Sequence, residues 1–534
     1  MARITLISTN NDFWSLGVRR LSSVLRQAGH TVQTVFIVKG GYISVLLSLD
    51  DMDSHGVADQ AVTDIIDLVK DDDLIGISTM SVNYCLKNAF TLAEALKSAH
   101  PDKWIGMGGF HPTAFPEECI QKKYIDFICR GDGEEALLEL AASIDSASVD
   151  RYHIKNLWIK DLSGQNVTNP QRPLNFQLDQ YPPYDYSTED MYLVESTRLR
   201  KATAGDYKKY FSTAMRIMCS YGCPYACAYC HNDVLYSLDK NSIKKRHHSV
   251  DYIINMIKEI IRQHPYFDFV DILDDSFLNL PLDFIRGFSE KYKKEIGLPF
   301  ALAGVIPNLI DKQKMDLLVG AGLCKIILGI QSGSRRVLRD YYSRFSDFDV
   351  IISKLEILTD YRDRLLPPTM DIIVGLPAEN EADRIETLTN LNRIPRPFSV
   401  SISNLSNFPG TKLTQKLIQE GLIKADQTSF GYSEVSRYDA YLCLLQIIGQ
   451  VPKKLGDRLV KSFRDRLHKS AFHSRFIYQL AFMYSFGLRA INSVLTGTTL
   501  SLPYGLAKLL AGFHPALRSK LDRSPVKHSQ ERHS

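Results

Sequence analysis

The sequence lacks several features that would assign it at once to a class of protein. Lys and Arg number 64 and Asp and Glu number 60, and the resulting net charge of +4 predicts no nucleic-acid partner. We find no internal repeat, no Walker or hydrolase motif, and no Gly-x-Gly-x-x-Gly after the first predicted strand. The start of the chain, MARITLISTNND, has no apolar signal core, so we expect a cytoplasmic protein. The near-average composition excludes collagen-like, disulfide-dense and wholly disordered proteins.

Cysteine is also sparse, with nine in 534 residues, yet four of the nine fall between Cys219 and Cys230. Among them, Cys223, Cys227 and Cys230 have the spacing C-x3-C-x2-C. Three thiolates on one short loop can hold three irons of a cubane cluster and leave the fourth iron without a protein ligand. Such an open position is typical of catalytic metal sites. The alternative interpretation is a closed zinc or cluster site with Cys219 as the fourth ligand and His231 beside it.

The first 145 residues alternate short apolar runs with amphipathic segments, which predicts a doubly wound, mainly parallel sheet of Rossmann-like type. The predicted strands are residues 4–8, 31–38, 74–78, 104–107 and 125–128, and the predicted helices are residues 16–28, 57–69, 84–99 and 134–142. A ligand of such a sheet lies beyond the carboxyl ends of its strands. Residues 78–81 and 108–113 follow the third and fourth strands, and paired glycines at Gly108 and Gly109 permit the close approach of a flat or bulky ligand.

A second series of strands and helices follows a connector, which we assign to residues 149–204. The predicted strands are residues 213–218, 269–273, 300–304, 325–329, 370–375 and 399–405, and the predicted helices are residues 250–262, 282–294, 312–321, 348–359 and 381–391. This alternation predicts a partial (β/α)6 barrel of TIM-like type, with its chemistry at the carboxyl ends of the strands. The cysteine loop follows the first of these strands, where such a barrel places a site.

Six motifs in this part of the chain resemble, in their order, those of the radical S-adenosylmethionine (SAM) superfamily, over residues 205–425. They are GCPYACAYC at 222–230, DILDDSF at 271–277, AGLC at 321–324, LGIQSGS at 328–334, GLPAEN at 375–380 and FPGT at 408–411. The resemblance implies that Cys223, Cys227 and Cys230 bind a [4Fe-4S] cluster whose open iron is chelated by the amine and carboxylate of SAM. Reductive cleavage of SAM would then give a 5′-deoxyadenosyl radical.

The same resemblance implies where SAM is bound. Asp274 or Asp275 would contact the methionine amine, and Gln331 would contact the ribose hydroxyls in place of the more usual Glu. Arg344 is a candidate partner of the methionine carboxylate through a charge-assisted pair. Gly375 would bring the backbone close to the adenine. Capping of the next helix by the aspartates, and a surface position for Arg344, are the structural alternatives.

The amino-terminal sheet resembles the cobalamin-binding-type domain that precedes many radical SAM enzymes. The resemblance rests on GGFHPT at 108–113 and RGDGE at 130–134, and it covers residues 1–148. It implies a cobalamin at the carboxyl edge of the sheet, near Ser78, Thr79, Gly108, Gly109 and His111. The chain departs from related domains because no Asp-x-His-x-x-Gly follows strand one, so no histidine is expected below cobalt. A docking domain that has lost its cofactor is the alternative.

Together these resemblances imply an enzyme that uses a [4Fe-4S] cluster, SAM and cobalamin. We expect methyl transfer to a carbon centre of a small molecule or of a natural-product or lipid-like substrate, with an external one-electron reductant of flavodoxin or ferredoxin type. Cyclisation or rearrangement is the enzymatic alternative. A non-catalytic module that binds zinc or a redox cluster is the alternative from another class.

The carboxyl-terminal region, residues 426–534, is expected to be helical with a basic tail. Helical spacing occurs over residues 436–449 and 459–468, and only Arg489 and Lys508 carry charge between residues 476 and 513. Packing of these helices over the barrel is the favoured interpretation, and peripheral contact with an anionic membrane is the alternative. A spanning helix is not expected, because the longest strongly apolar segment has only thirteen residues, 476–488.

Overall fold

A parallel sheet forms the amino-terminal part of the computed structural model, which describes residues 1–10, 12–38, 56–145, 150–195, 197–211, 213–424 and 440–465. Its first five strands are β1 (Arg3–Ser8), β2 (Thr31–Val38), β3 (Leu74–Ser78), β4 (Trp104–Gly108) and β5 (Phe127–Cys129). They lie in the order β5-β4-β3-β1-β2 and pair in parallel. The strand order reverses between β1 and β3, which is where a ligand binds in sheets of this kind.

Helices cover both faces of this sheet, which explains why its strands are continuous apolar runs. The helices are α1 (Leu16–Gln27), α2 (Asp59–Leu68), α3 (Asn83–Ala99), α4 (Phe110–Ala114), α5 (Pro116–Ile120) and α6 (Glu134–Asp145). Leu6 of β1 belongs to the apolar cluster that includes residues of α1 and α6. Its neighbour Ile7 belongs to the opposite cluster, with residues of α2, α3 and α5. The structure therefore confirms the doubly wound sheet.

Four further strands extend the sheet where the sequence predicted only a connector over residues 149–204. They are β6 (Leu157–Lys160), β7 (Asn166–Thr168), β8 (Met191–Glu195) and β9 (Arg198–Lys201). β6 and β7 add antiparallel beyond β5, β8 pairs in parallel with β2, and β9 returns antiparallel on β8. These strands have three to five residues each, too few for an alternating pattern to stand out in the sequence.

The second unit is a six-stranded parallel sheet that forms the predicted partial barrel. Its strands are β10 (Ala214–Ile217), β13 (Phe269–Ile272), β14 (Phe300–Val305), β15 (Leu323–Gln331), β16 (Thr369–Val374) and β17 (Ser399–Asn404). Two short strands outside this sheet, β11 (Ser220–Tyr221) and β12 (Arg246–His247), form an antiparallel pair next to β10. The helices are α7 (Ala204–Phe211), α8 (His231–Leu238), α9 (Val250–Gln263), α10 (Leu282–Glu295), α11 (Lys312–Ala321), α12 (Phe348–Ile357), α13 (Glu381–Arg393) and α14 (Lys412–Gln419). In the described part of the chain the barrel sheet ends at β10 and β17, so the barrel is partial.

Two more helices, α15 (Ala440–Ile447) and α16 (Lys453–Asp465), pack on the barrel. Tyr441, Leu444 and Phe463 of these helices are buried in the same apolar cluster as the outer faces of the barrel strands. This agrees with the favoured interpretation for the described part of the region, whereas residues 466–534, with the basic tail, lie outside the described residues. Among the residues that are described, none of the helices has the length and apolar character needed to cross a membrane.

The two units are joined by Arg20 of α1, which is only 3% exposed. Its guanidinium donates to the Tyr252 hydroxyl of α9 at 2.8 Å and contacts His248 Nε2 at 3.3 Å. The guanidinium also stacks over the Tyr184 ring, 4.3 Å from the ring centroid. Because His248 donates its backbone N–H to the Cys219 carbonyl at 3.0 Å, this contact fixes the sheet beside the start of the cysteine loop.

Candidate active site

Two aspartates that follow β13 accept hydrogen bonds from the start of the cysteine loop. Asp274 Oδ1 accepts a hydrogen bond from the Cys219 N–H at 2.7 Å, and its other oxygen contacts the Ser220 hydroxyl. Asp275 Oδ2 accepts from the Gly222 N–H at 2.9 Å. Burial raises the pKa of Asp274 to about 6, although the nearby Lys245 and these hydrogen bonds oppose the shift. The buried Asp274 therefore positions the loop, whereas the half-buried Asp275 lies closer to the thiols.

Gly222 is the residue at which the loop turns toward its three cysteines. Its φ of 91° lies in the region that favours glycine, and a Cβ there would collide with the Lys244 carbonyl oxygen. The segment that crowds Gly222 leads into β12, whose pairing places His247 opposite Ser220. Lys245 Nζ also donates to the Gly222 carbonyl oxygen at 3.1 Å. The loop is thus held by hydrogen bonds to two carboxylates and by contacts with the segment that contains Lys244 and Lys245.

The thiols of Cys223, Cys227 and Cys230 lie close enough for their charges to influence one another. Cys223 and Cys230 are half-buried, and Cys227 is 9% exposed. Burial raises the pKa of Cys223 to about 11 and that of Cys230 to about 12. Without metal these two thiols are protonated near neutral pH, and metal binding has to displace their protons. Three soft sulfur donors on one loop suit an iron–sulfur cluster.

Cys219 does not join this set. Its side chain is fully buried in the apolar core with Met215 and Ile217, and burial raises its pKa well above the ordinary value. The ring of His231 packs instead between Phe110 and Phe408, at centroid distances of 4.8 and 5.0 Å. Within the described ranges, no three His, Cys, Asp or Glu side chains are placed to hold a single metal ion. The burial of Cys219 and the ring contacts of His231 are the observations that count against a closed zinc site.

The structure brings Gln331 and Arg344 together at the carboxyl end of β15. Gln331 has a φ of 70°, and the pairing with β16 shifts register between Gly329 and Gln331. A Cβ at Gly329 would lie 2.6 Å from Gln331 Nε2 and 3.5 Å from an Arg344 nitrogen. Arg344 also donates to the Tyr229 hydroxyl in the cysteine loop at 3.1 Å. A strained non-glycine backbone beside a charged group is typical of binding sites.

Gly375 follows the neighbouring strand β16 and has a φ of 82°, a conformation that again favours glycine. It follows Val374 directly, so its backbone lies at the same end of the barrel as Gln331. Four of the residues predicted to bind SAM therefore lie at the carboxyl ends of barrel strands or beside the cysteine loop. They are Asp275, Gln331, Arg344 and Gly375. Asp274 lies there too, with both its oxygens engaged by the loop.

The barrel interior carries polar side chains where closed barrels usually have layers of branched apolar ones. Met370 and Ile372 belong to the outer apolar cluster, so Asp371 between them faces the interior. By the same alternation Arg216 faces inward, and it forms an ion pair with Asp271 at 3.8 Å. Ser401 is the partner of Asp371 in the β16–β17 register. Below these groups, an apolar layer of Ala214, Phe269 and Ala301 closes the barrel.

Asp371→Asn is expected to stabilise the protein above neutral pH. Burial raises the pKa of Asp371 to about 6, so the folded state holds its proton more tightly than the unfolded chain does. The stability that this proton contributes is complete below the unfolded pKa and is lost as the pH rises through about 6. Asparagine removes this pH dependence. We expect the free energy of unfolding at pH 8 to rise by about 1–2 kcal/mol, a value reduced to allow for the partial exposure of the Asp371 side chain. Thermal unfolding from pH 4 to 8 measures it. Equal pH dependence in both proteins would contradict the shifted pKa.

A cavity of about 230 Å³ lies in the amino-terminal unit, between its sheet and helices α1 and α6, and it reaches two residues of the barrel unit. Ser78, Gly108 and Gly109 line it on the sheet side, and Met218 and Tyr221, which flank the first residues of the cysteine loop, line it on the barrel side. An added Cβ at Gly17 would meet nothing within 4 Å, and one at Gly108 would meet only the Cys129 Cβ, at 3.9 Å. The cavity is smaller than typical sites for whole drug-sized ligands, so it suits part of a large cofactor.

Two of the residues predicted near cobalamin do not line this cavity. His111 is 2% exposed, with Nδ1 hydrogen-bonded to the Ser81 hydroxyl at 3.0 Å and Nε2 3.5 Å from a Glu118 oxygen. Thr79 is fully buried, and its backbone N–H donates to the Gly108 carbonyl. Both residues thus support the loops that carry Gly108 and Gly109.

The sequence reasoning missed four residues that the structure adds to the site. Lys245 contacts the cysteine loop, Asp371 faces the barrel interior, and Arg20 and Glu134 line the cavity. Burial, reinforced by the charge of Asp132, raises the pKa of Glu134 to about 7. A signal existed for Lys245, which stands in the basic run 244–248, but two-residue strands such as β12 give no periodic pattern.

Comparison with family models agrees with both units of the fold. Residues 217–391 match the model described as the Radical SAM superfamily. Residues 2–141 match the model described as the B12 binding domain. The first range begins at the last residue of β10 and includes the cysteine loop, and the second includes the predicted cobalamin residues.

Similarity to individual proteins is distant. The chain is 24% identical to a cytidylyl-2-hydroxyethylphosphonate methyltransferase of Streptomyces wedmorensis, over 61% of this chain and 63% of that protein. It is 22% identical to an anaerobic magnesium-protoporphyrin IX monomethyl ester cyclase of Rubrivivax gelatinosus, over 72% and 64% respectively. The chain thus spans less than two thirds of the length of either relative.

Among solved structures, the fold is similar to that of the radical S-adenosylmethionine methyltransferase TsrM from Kitasatospora setae, solved with cobalamin and a [4Fe-4S] cluster. The TM-score is 0.60 at 13% identity, and the alignment covers 87% of this chain and all of that one. At this identity, the similarity concerns the fold alone.

Proposed function

Because this chain joins a B12-binding domain to a domain of the radical SAM superfamily, we propose that it is a cobalamin-dependent radical SAM methyltransferase that acts on a carbon centre of a small polar molecule. The observation that carries the proposal is the shared position of Met218 and Tyr221. They line the cavity at the edge of the sheet, and the cysteine loop begins between them. This shared position supports neighbouring sites for the two cofactors.

The cofactors fit the residues present. Cys223, Cys227 and Cys230 would hold the cluster, and the cavity lined by Gly17 and Gly108 would take part of the cobalamin. When bound, the cluster supplies an electron for cleaving SAM and cobalamin supplies a carrier for its methyl group. The chain's own residues supply binding, orientation and exclusion of water.

SAM would be oriented by groups that the structure gathers around the cysteine loop. Arg344 offers a planar guanidinium to the methionine carboxylate, and Asp275 offers a carboxylate to the amine. Gln331 can both donate to and accept from ribose hydroxyls. Gly375 has no side chain that would keep the adenine away from its backbone. The polar interior around Asp371 favours a substrate with hydroxyl or amino groups over a lipid-like one.

Anaerobic reconstitution with iron, sulfide and hydroxocobalamin tests the proposal. Under a strong reductant, the wild-type protein is expected to convert SAM to 5′-deoxyadenosine and also to S-adenosylhomocysteine, the product left when SAM gives up its methyl group. 5′-Deoxyadenosine without S-adenosylhomocysteine would favour the cyclisation or rearrangement alternative. Formation of neither product by iron-loaded protein would contradict the proposal, and one zinc ion in place of iron would favour the non-catalytic module.

A further inference from the structure

We propose that Lys245 is a positioning residue that holds the cysteine loop by its Gly222 carbonyl and, through its positive charge, raises the reduction potential of the cluster on that loop. The inference rests on the proposed function, since it requires a cluster on Cys223, Cys227 and Cys230. It adds a residue that lies outside the cysteine motif and more than twenty positions from its first glycine, Gly222.

The position of Lys245 is fixed by its neighbours in the chain. It precedes β12, which pairs with β11 inside the start of the cysteine loop. On the other side of β12, the His248 N–H donates to the Cys219 carbonyl at 3.0 Å. With its backbone tied at these points, half-buried Lys245 donates from Nζ to the Gly222 carbonyl oxygen at 3.1 Å. The backbone pairing therefore keeps the Lys245 ammonium within reach of the loop.

The charge of Lys245 is set among negative groups. Its charge interacts with those of Asp274 and Asp275, and then with the thiols of Cys223 and Cys219. Both aspartates accept hydrogen bonds from backbone N–H groups of the loop. Two carboxylates next to a cluster oppose the arrival of another electron, because reduction adds negative charge in a region of low dielectric. The ammonium of Lys245 offsets part of that repulsion, and net charge near a cluster is one of the determinants of its potential.

The test compares the cluster potentials of reconstituted wild-type protein and Lys245→Met, with no SAM added. Each protein is titrated with a low-potential reductant, and the reduced cluster is followed by electron paramagnetic resonance. We expect the reduction equilibrium of Lys245→Met to be about tenfold less favourable, which for a one-electron couple corresponds to a potential about 59 mV more negative. A residue with only a structural role would change the amount of cluster and leave the potential of the remaining cluster unchanged.

Two matched variants separate charge from shape. Lys245→Arg keeps the charge and is expected to retain the wild-type potential, and Lys244→Met removes the exposed neighbouring charge and is expected to do the same. Lys245→Gln keeps a hydrogen-bond donor for Gly222 without the charge, so it serves if Lys245→Met fails to hold a cluster, and its potential is expected to fall.

Two results overturn the inference. One is a wild-type potential in Lys245→Met or Lys245→Gln, and the other is an equal shift in Lys245→Arg. If the wild-type protein itself binds no cluster, the proposed function fails, and that outcome is distinct from a cluster whose potential ignores residue 245.

Discussion

Cys227→Ala is expected to abolish the [4Fe-4S] cluster and, with it, the formation of 5′-deoxyadenosine from SAM. Cys227 lies between Cys223 and Cys230 in the loop, and it is more buried than they are, at 9% exposure. Without its thiolate two cysteines remain, and two ligands leave a second iron without protein sulfur. We expect the rate of SAM cleavage to fall by roughly 10³-fold or more, which corresponds to about 4 kcal/mol of activation barrier. Iron and sulfide analysis, with chromatography of the nucleoside product, measures both losses.

The control variants use cysteines outside the set. Cys443→Ala removes a buried thiol from helix α15 and is expected to leave the cluster in place. Cys219→Ala tests the closed-site alternative directly, because Cys219 is the adjacent cysteine that could complete a four-sulfur site. Its thiol packs in the apolar core, so we expect a loss of about 1–2 kcal/mol of stability with the cluster retained. Loss of metal in Cys219→Ala, or cluster retained in Cys227→Ala, would contradict the assignment.

Much of the fold could be predicted because its long elements carry strong periodic patterns. Helix α11 ends at Ala321 in the structure as in the prediction, and Gly322 follows with a φ of 120°. Strand β15 differs: the prediction covers residues 325–329, and the structure extends it to Leu323–Gln331. Its last residue, Gln331, has a positive φ that no propensity scale assigns to a strand end. The local pattern locates the strand, and tertiary contacts decide where it ends.

The site was predictable only where chemistry is concentrated in one short stretch of sequence. The three cysteines stand within eight residues, 223–230, and their spacing together with the motifs that follow predicts a cluster, whereas the spacing alone left a closed zinc site open. Lys245 reaches the same loop from fifteen residues beyond Cys230, through a pair of two-residue strands, and its role becomes visible only in three dimensions. His111, which a motif placed at the edge of the sheet, contacts the Ser81 hydroxyl and does not line the cavity, and its role toward cobalamin stays a prediction.

The two units are held together by contacts of Arg20, which lies outside the quoted motifs, and of Asp132, which belongs to RGDGE at 130–134. Arg20 of the sheet unit contacts Tyr252 and His248 of the barrel unit, and Asp132 pairs with Arg246 at 2.6 Å. In this arrangement Met218 and Tyr221 of the barrel unit line the cavity. The Asp132 side chain is 47% exposed, and partly exposed ion pairs add little net stability, so the main effect of these contacts is to fix one relative orientation of the two units.

Gly17→Trp is expected to block cobalamin binding while the protein still folds. Gly17 is the second residue of α1, it lines the cavity, and a Cβ there meets nothing within 4 Å. An indole can therefore be attached without backbone strain, and the helix tolerates it because Trp has a better helix propensity than Gly. An indole at this position can reach into the cavity that Gly17 lines, which is the proposed place of the cofactor. We expect the affinity for hydroxocobalamin to fall at least tenfold, or about 1.4 kcal/mol, as measured by corrin absorbance after gel filtration.

Gly320→Trp is the matched control, because Gly320 is an exposed glycine in helix α11 that also has nothing within 4 Å of an added Cβ. It introduces the same residue into a helix far along the chain from the cavity, and we expect it to bind cobalamin as the wild-type protein does. Gly108→Val repeats the block from the opposite wall, where an added Cβ has only Cys129 nearby at 3.9 Å. Because the two blocking positions lie on different secondary-structure elements, loss of binding in both would locate the cofactor in the space between them. Wild-type affinity in both variants would mean that the cavity is not where cobalamin binds.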